Sequence, residues 1–431
     1  VTSRLAASAL AVLLGLGAEP LAPAVTAQAL VSRELRAEAA RLFRELADLR
    51  GVAAPGPAPP LTIRTREERR RFVERELARK YSPARLEGER AALVAWGLVP
   101  AGFDLTAFIT DLVVEQAAAY YDPVSKLILL ASWLGPEEQK EALAHELVHA
   151  LQDRQIDLET FLASPPGRSD ETLARQALVE GEAVALTLEL ALRRQGQSLA
   201  ALPDVAARQR AIATSATGPF LSRAPRFVRA MLTFPYAEGL GLVHQLRRRA
   251  PWSRLSTVYR DPPRSTAQIL HPERYLDRRV DPVAVPLPDL ADVLSGARRV
   301  IEDDAGEFGL REVLAEYVGS GASEAASGWR GDRYAIWEAA GVQSLVALSV
   351  WESEAAAGAF ARAYGRVLGQ KRGVPPLAGE RDLPTWRVQD RVLAIERRGR
   401  AVLVVEQVPA GALDDVRRRV WDRAGAARML E

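Results

Sequence analysis

Apolar residues recur at helical spacing near the start of the chain, with Leu35, Ala39, Leu42, Leu46 and Leu49 on one side of a helix predicted over 31–49. A Pro/Gly-rich tract, 53–60, then reads as a loop, and 61–65 as a short strand. Two charged amphipathic helices are expected over 67–80 and 83–96, and another over 104–113. Segments 115–121 and 126–131 favour strands, and Asp122-Pro123-Val124-Ser125 between them predicts a β-hairpin. Pro136, followed by Glu137 and Glu138, opens a helix expected to reach Ile156, because acid in a first turn complements the helix dipole. Pro165-Pro166-Gly167 breaks the chain before a second helix over 171–194.

From 202 to 286 the pattern is helix and loop, marked by Pro235, Pro251, Pro262-Pro263 and Pro272. A helix over 304–317 follows. Strands are expected over 334–338 and 345–350, a helix over 354–368, and a hairpin of 392–396 with 401–407 before a last helix. The expected class is α+β: a mainly helical central domain with a small mixed sheet, plus a C-terminal α+β region. The implied divisions are a signal peptide over 1–29, an N-terminal helical region over 30–100, a central domain over 101–330 and the C-terminal region over 331–431.

Composition narrows the chemistry. The 431 residues hold 57 Lys and Arg against 55 Asp and Glu, a formal net charge of +2. Acid interleaves the arginine runs; Glu67 and Glu68 fall within 64–71, which reads as a solvated helix face. A nucleic-acid partner is not expected. With no cysteine, disulfides, thiolate ligands and cysteine nucleophiles are excluded, so a metal site must use histidine and carboxylate. At the N-terminus, Arg4, the apolar run 5–18 and Ala27-Gln28-Ala29 have the layout of a cleavable export signal, which predicts a secreted or periplasmic protein with no membrane span in its mature form.

Two of the four histidines, His145 and His149, flank Glu146 in His145-Glu146-Leu147-Val148-His149, within the helix expected over 136–156. Positions i and i+4 share one helix face, so both imidazoles reach one ion, and Glu146 is placed to act as general base. A catalytic zinc takes a third protein ligand. Gln152 and Gln155 stand where a longer histidine motif needs Gly and His, which excludes that subclass. The favoured third ligand is Glu180 on the next helix, with Gly181 allowing close helix approach; Glu238 and His271 are rivals. His244 reads as a packed core residue, beside Leu240, Val243 and Leu246.

The histidine motif followed by Glu180-Gly181-Glu182-Ala183 resembles the gluzincin metallopeptidases, the group of thermolysin and the zinc aminopeptidases. Glu115-Gln116, Tyr120-Tyr121-Asp122-Pro123, Ala150-Leu151-Gln152-Asp153 and the run 263–275 extend the likeness to a bacterial group of exported zinc-peptidase-like proteins, over about 115–275. The resemblance implies Zn2+, a peptide or protein substrate, an edge strand at 126–131 over the cleft, and a donor for the developing oxyanion, with Tyr236 and His271 as candidates. Asp153, one turn beyond His149, is placed either to orient a ligand imidazole or to cap or salt-bridge the helix. The alternatives are a non-catalytic metal-containing binding or scaffold protein, and zinc hydrolysis of a non-peptide amide.

Overall fold

The computed structural model describes residues 31–53, 55–116, 119–163, 165–215, 223–373 and 384–426. The expected signal peptide lies outside them. The chain is α+β, as the pattern predicts. Its first part runs α1 (Arg33–Arg50), β1 (Leu61–Arg64), α2 (Arg66–Lys80), α3 (Pro83–Trp96) and α4 (Leu105–Gln116), then β2 (Ala119–Asp122) and β3 (Leu127–Ala131). Helix α5 (Pro136–Ile156) leads through a short helix to α6 (Ser169–Arg193), and α7 (Val205–Ser215) precedes α8 (Arg226–Arg247). Among the described residues no helix is long and apolar enough to cross a membrane.

Local chemistry sets several of these ends. Ser32, Thr65 and Ser82 each accept a backbone N–H of the first turn that has no partner within the helix, and Thr65 with Glu68 completes a reciprocal capping box. Gly51 and Gly97 end α1 and α3 with positive φ, where a residue with a Cβ is strained.

Two strand expectations are corrected. Residues 115 and 116 are the last of α4 rather than the start of a strand, so β2 is only four residues long. Strand β3 is not an edge strand. It is the middle of a three-stranded sheet, paired in parallel with β1 (Leu61 opposite Ile128, Arg64 opposite Ala131) and antiparallel with β2. With neighbours on both sides its backbone has no open edge for a substrate strand. The pairing joins segments more than sixty residues apart, which no local pattern in the sequence displays.

The C-terminal sheet has six antiparallel strands in the order β4-β5-β6-β9-β8-β7: β4 (Arg298–Asp303), β5 (Trp329–Ala339), β6 (Val342–Trp351), β7 (Thr385–Val388), β8 (Arg391–Arg398) and β9 (Ala401–Pro409). Helices α9 (Gly306–Val318), α10 (Glu354–Arg372) and α11 (Leu413–Ala426) complete the chain. Alternate residues face two separate cores, as the two-residue period of a strand requires. Tyr334, Ile336, Leu345, Val402 and Val404 join the large core that also holds Trp96, Phe308 and Phe360. Trp337, Val346, Leu348, Leu403 and Val405 join the second, with Val420 and Trp421 of α11. Burial on both faces explains why these strands read as almost unbroken apolar runs.

Candidate metal centre

Helix α5 is buried along the stretch 145–153, and the two histidines of the motif lie one turn apart on it. Their Nε2 atoms are 3.1 Å from each other. Glu180 enters from α6, its Oε2 3.1 Å from His145 Nε2 and 3.5 Å from His149 Nε2. All three residues are at most 1% exposed. Donors at about 2.0–2.1 Å from a tetrahedral zinc stand roughly 3.3 Å from one another, so these separations are those of three ligands around one ion.

The donor set has further features that fit a cation. Two ring nitrogens and a carboxylate oxygen point at one spot, and the second oxygen of Glu180 is buried without a hydrogen bond. Burial works against charge on His149, yet the adjacent Glu180 carboxylate outweighs it and carries the imidazole up to about 9. Burial likewise opposes ionisation of Glu180, but His149 and His145 hold its carboxyl down at about 2. The cluster therefore keeps the ionised carboxylate that a divalent cation needs.

Glu146, also fully buried, lies outside this triad. The backbone N–H of Tyr121 in β2 donates to its Oε2 at 2.7 Å, while its Oε1 has no hydrogen bond. Tyr236 packs its ring 5.9 Å, centre to centre, from that of His145. It was expected in an irregular segment, but Pro235 is accommodated inside α8, and Tyr236 projects from that helix.

The other candidates go elsewhere. His271 follows the short helix Thr266–Leu270 and bonds through Nε2 to Glu307 at 2.6 Å, with Glu273 at 3.9 Å. Glu238 pairs with Arg210 at 2.7 Å. Asp153 accepts from the Tyr121 hydroxyl, Lys126 Nζ and the backbone N–H of Leu158, and so pins the β2–β3 hairpin to α5. His244 is buried, and desolvation lowers its pKa. Gly181 does permit a close helix approach, but the partner is α8 and not α5. A Cβ on Gly181 would lie 2.2 Å from the carbonyl carbon of Gly239.

Sequence reasoning missed the residues that hold the ligands in place. Gln152 Oε1 lies 2.8 Å from His149 Nδ1. The Gln152 amide donates to Val179 O and to Glu182 Oε2, both at 2.9 Å, and contacts the Tyr259 hydroxyl at 3.0 Å. Glu182 is in turn paired with Arg50 of α1, both side chains being buried. Arg69 was expected on a solvated face; it is buried, its guanidinium 5.2 Å from the centre of the Trp133 ring and attracted by Glu146. Its neighbours Arg66, Arg70 and Arg71 are exposed, as the interleaved charges predict. One signal for Gln152 was present in the sequence: its position three residues after His149 of the candidate cluster, on the same helix face.

Residues 102–201 match the Peptidase M78 family model, described as an IrrE N-terminal-like domain. That match contains the whole His145, His149 and Glu180 cluster and supports a metallopeptidase-like unit. Residues 294–417, which include the six-stranded sheet through β9, match a domain of unknown function (DUF8575). No curated protein and no solved structure matches the chain.

Proposed function

We propose that this chain is a zinc-dependent peptidase of gluzincin type, with His145, His149 and Glu180 as metal ligands and Glu146 as general base. The observation that carries this reading is the second buried carboxylate. Glu146 is fixed at one oxygen by the Tyr121 N–H and keeps the other without a partner beside the ligand cluster. A purely structural zinc is closed by four protein ligands and needs no such base.

Zinc held there would supply Lewis-acid polarisation of a carbonyl and an acidified water. The free Oε1 of Glu146 is the atom that takes the proton of the attacking water and returns it to the leaving amine. Tyr236, beside His145, is the candidate donor to the developing oxyanion. His271 is engaged with Glu307, and we assign it no role in this step. The N-terminal apolar run and Ala27-Gln28-Ala29 support export of the enzyme from the cytoplasm in this reading.

A second reading, a non-catalytic protein with a structural metal, is favoured by one observation: His145, Glu146, His149 and Glu180 are all at most 1% exposed. Peptide hydrolysis requires an opening in the cover to which β2 and Tyr236 contribute. Comparing the zinc-loaded wild type with Glu146→Gln on a diverse peptide library decides between the two. The peptidase reading expects equal zinc content and a loss of about 10²–10⁴-fold in cleavage rate. Equal zinc with no cleavage by either protein supports the structural metal.

A further inference from the structure

Helices α3, α4, α6, α8 and α9, with Tyr334 of β5, line a half-open cavity of about 290 Å³ that contains none of the proposed metal ligands. Leu173, in its wall, stands seven residues before Glu180 on α6, which is roughly 10 Å along the helix. Leu93, Phe108, Ile109, Leu112, Phe227 and Met231 supply much of the lining. Leu93, Phe108 and Met231 remain only partly buried, so apolar surface is left uncovered within the fold. A void of ~150 Å³ with such walls accommodates benzene, and this one is about twice that size.

One end of the cavity is polar and its charge is unbalanced. Glu89, Asp170 and Asp304 are in the lining with one guanidinium, Arg85, while Arg333 acts on Asp304 from outside it. Arg85 is already committed to Glu89 at 2.6 Å and to Asp303 at 3.5 Å. Asp170 is also engaged, accepting the backbone N–H and the hydroxyl of Thr266. Asp304 differs. Its carboxylate accepts one hydrogen bond among the described residues, from the backbone N–H of Asp170 at 2.8 Å. A carboxylate has two oxygens and about four acceptor directions, and Asp304 is only partly buried, so it retains acceptor capacity for a ligand or for water. Burial, with repulsion from Asp332, pushes this carboxyl up to about 7, and a cation beside it would relieve that repulsion.

We propose that the cavity binds a small apolar amine, its hydrocarbon body between Phe108, Ile109 and Met231 and its ammonium group on the Asp304 carboxylate. A fatty-acid head group is disfavoured, because it would meet the Asp304 carboxylate, the Arg85-paired Glu89 and the buried Asp170, whose carboxyl burial pushes well above its usual range. A neutral molecule of the same shape gains the apolar contacts but no charge-assisted hydrogen bond, a difference of about 10–100-fold in affinity. This site stands independently of the peptidase reading, since no residue in it touches the metal cluster.

Titration calorimetry of the zinc-loaded protein at pH 8 with octylamine, octan-1-ol and octanoate tests it. Octylamine should bind at least about tenfold more tightly than octan-1-ol, with octanoate weakest. Asp304→Asn preserves the acceptor for the Asp170 N–H and should reduce octylamine to the affinity of octan-1-ol, with zinc content unchanged. Met231→Trp and, from another wall, Leu93→Trp should abolish binding of both, their folding checked by thermal melting and zinc content. Octanoate binding as well as octylamine would overturn the proposal. So would an amine preference that survives Asp304→Asn, undiminished binding to a folded cavity-filled variant, or no binding of octylamine by the wild type.

Discussion

Gln152 fixes His149. Its amide nitrogen is directed at two acceptors, Val179 O and the Glu182 carboxylate, so its oxygen must face His149 Nδ1, 2.8 Å away. An acceptor there requires a proton on Nδ1, which leaves Nε2 as the nitrogen that can give its lone pair to a metal. Replacing Gln152 with Leu removes this orientation while keeping an apolar body of similar length. Zinc affinity, measured by competition with a chelating dye, should fall about 10–100-fold. Unchanged affinity would show that helix packing alone aims the ring.

The same network reaches the N-terminal helix. Arg50 and Glu182 have side chains at most 2% exposed, and Arg50 also donates to Trp252 O at 2.9 Å. Removing the cation alone strands a buried carboxylate. Arg50→Met should therefore destabilise the zinc-loaded protein by about 3–5 kcal/mol in denaturant unfolding, and Arg50→Met with Glu182→Met should recover much of that loss. Helix α1 is thus part of the ligand-supporting structure, and a deletion that removes it should reduce zinc retention more than Arg50→Met does.

The cluster of His145, His149 and Glu180 was legible because its chemistry has a local period: two histidines four residues apart on a helix, then a glutamate on a following helix. The supporting residues were not. Arg50 meets Glu182 across 132 positions, and Gln152 meets Tyr259 across 107, distances no periodicity records. Pro235 read as a helix breaker, yet Phe227, Leu232, Leu240 and Val243 around it are buried in the core and hold α8 together across the proline. Strand β4 was missed because Arg298, Arg299, Glu302 and Asp303 give it little apolar signal. Its identity comes from pairing with β5.

Gly181 faces Gly239 where α6 crosses α8, and α6 carries Glu180. A Cβ at Gly239 would lie 1.9 Å from Ala177 O, so neither glycine has room for a methyl group. Gly181→Ala should force the helices apart and destabilise the fold by about 1–3 kcal/mol. Zinc content should fall with it, because Glu180 is the adjacent residue. Ala183→Gly, two positions along the same helix, is the comparison. It should weaken α6 by about 1–2 kcal/mol through helix propensity and the loss of a buried methyl while leaving the crossing intact, so its zinc content should hold.

Metal uptake should depend on pH through His149. In chelator-stripped protein the Glu180 carboxylate keeps this imidazole protonated up to about 9, above its ordinary 6.5, and a metal must displace that proton. Apparent zinc affinity should rise about tenfold per pH unit between 6.5 and 9 and flatten above it. The stability of the stripped protein moves the other way. A histidine with a raised pKa stabilises the fold fully below 6.5 and loses that contribution as pH climbs through 9. Glu180, held at about 2 instead of 4.5, contributes above 4.5 and loses its contribution as pH falls toward 2. Both contributions coexist between 4.5 and 6.5, so stripped protein should be most resistant to denaturant there, while zinc is bound best at higher pH. Calorimetric zinc titration at pH 7.5 in buffers of different ionisation enthalpy should show release of about one proton per metal. Affinity that stays flat from pH 7 to 9 would remove His149 from the ligand set.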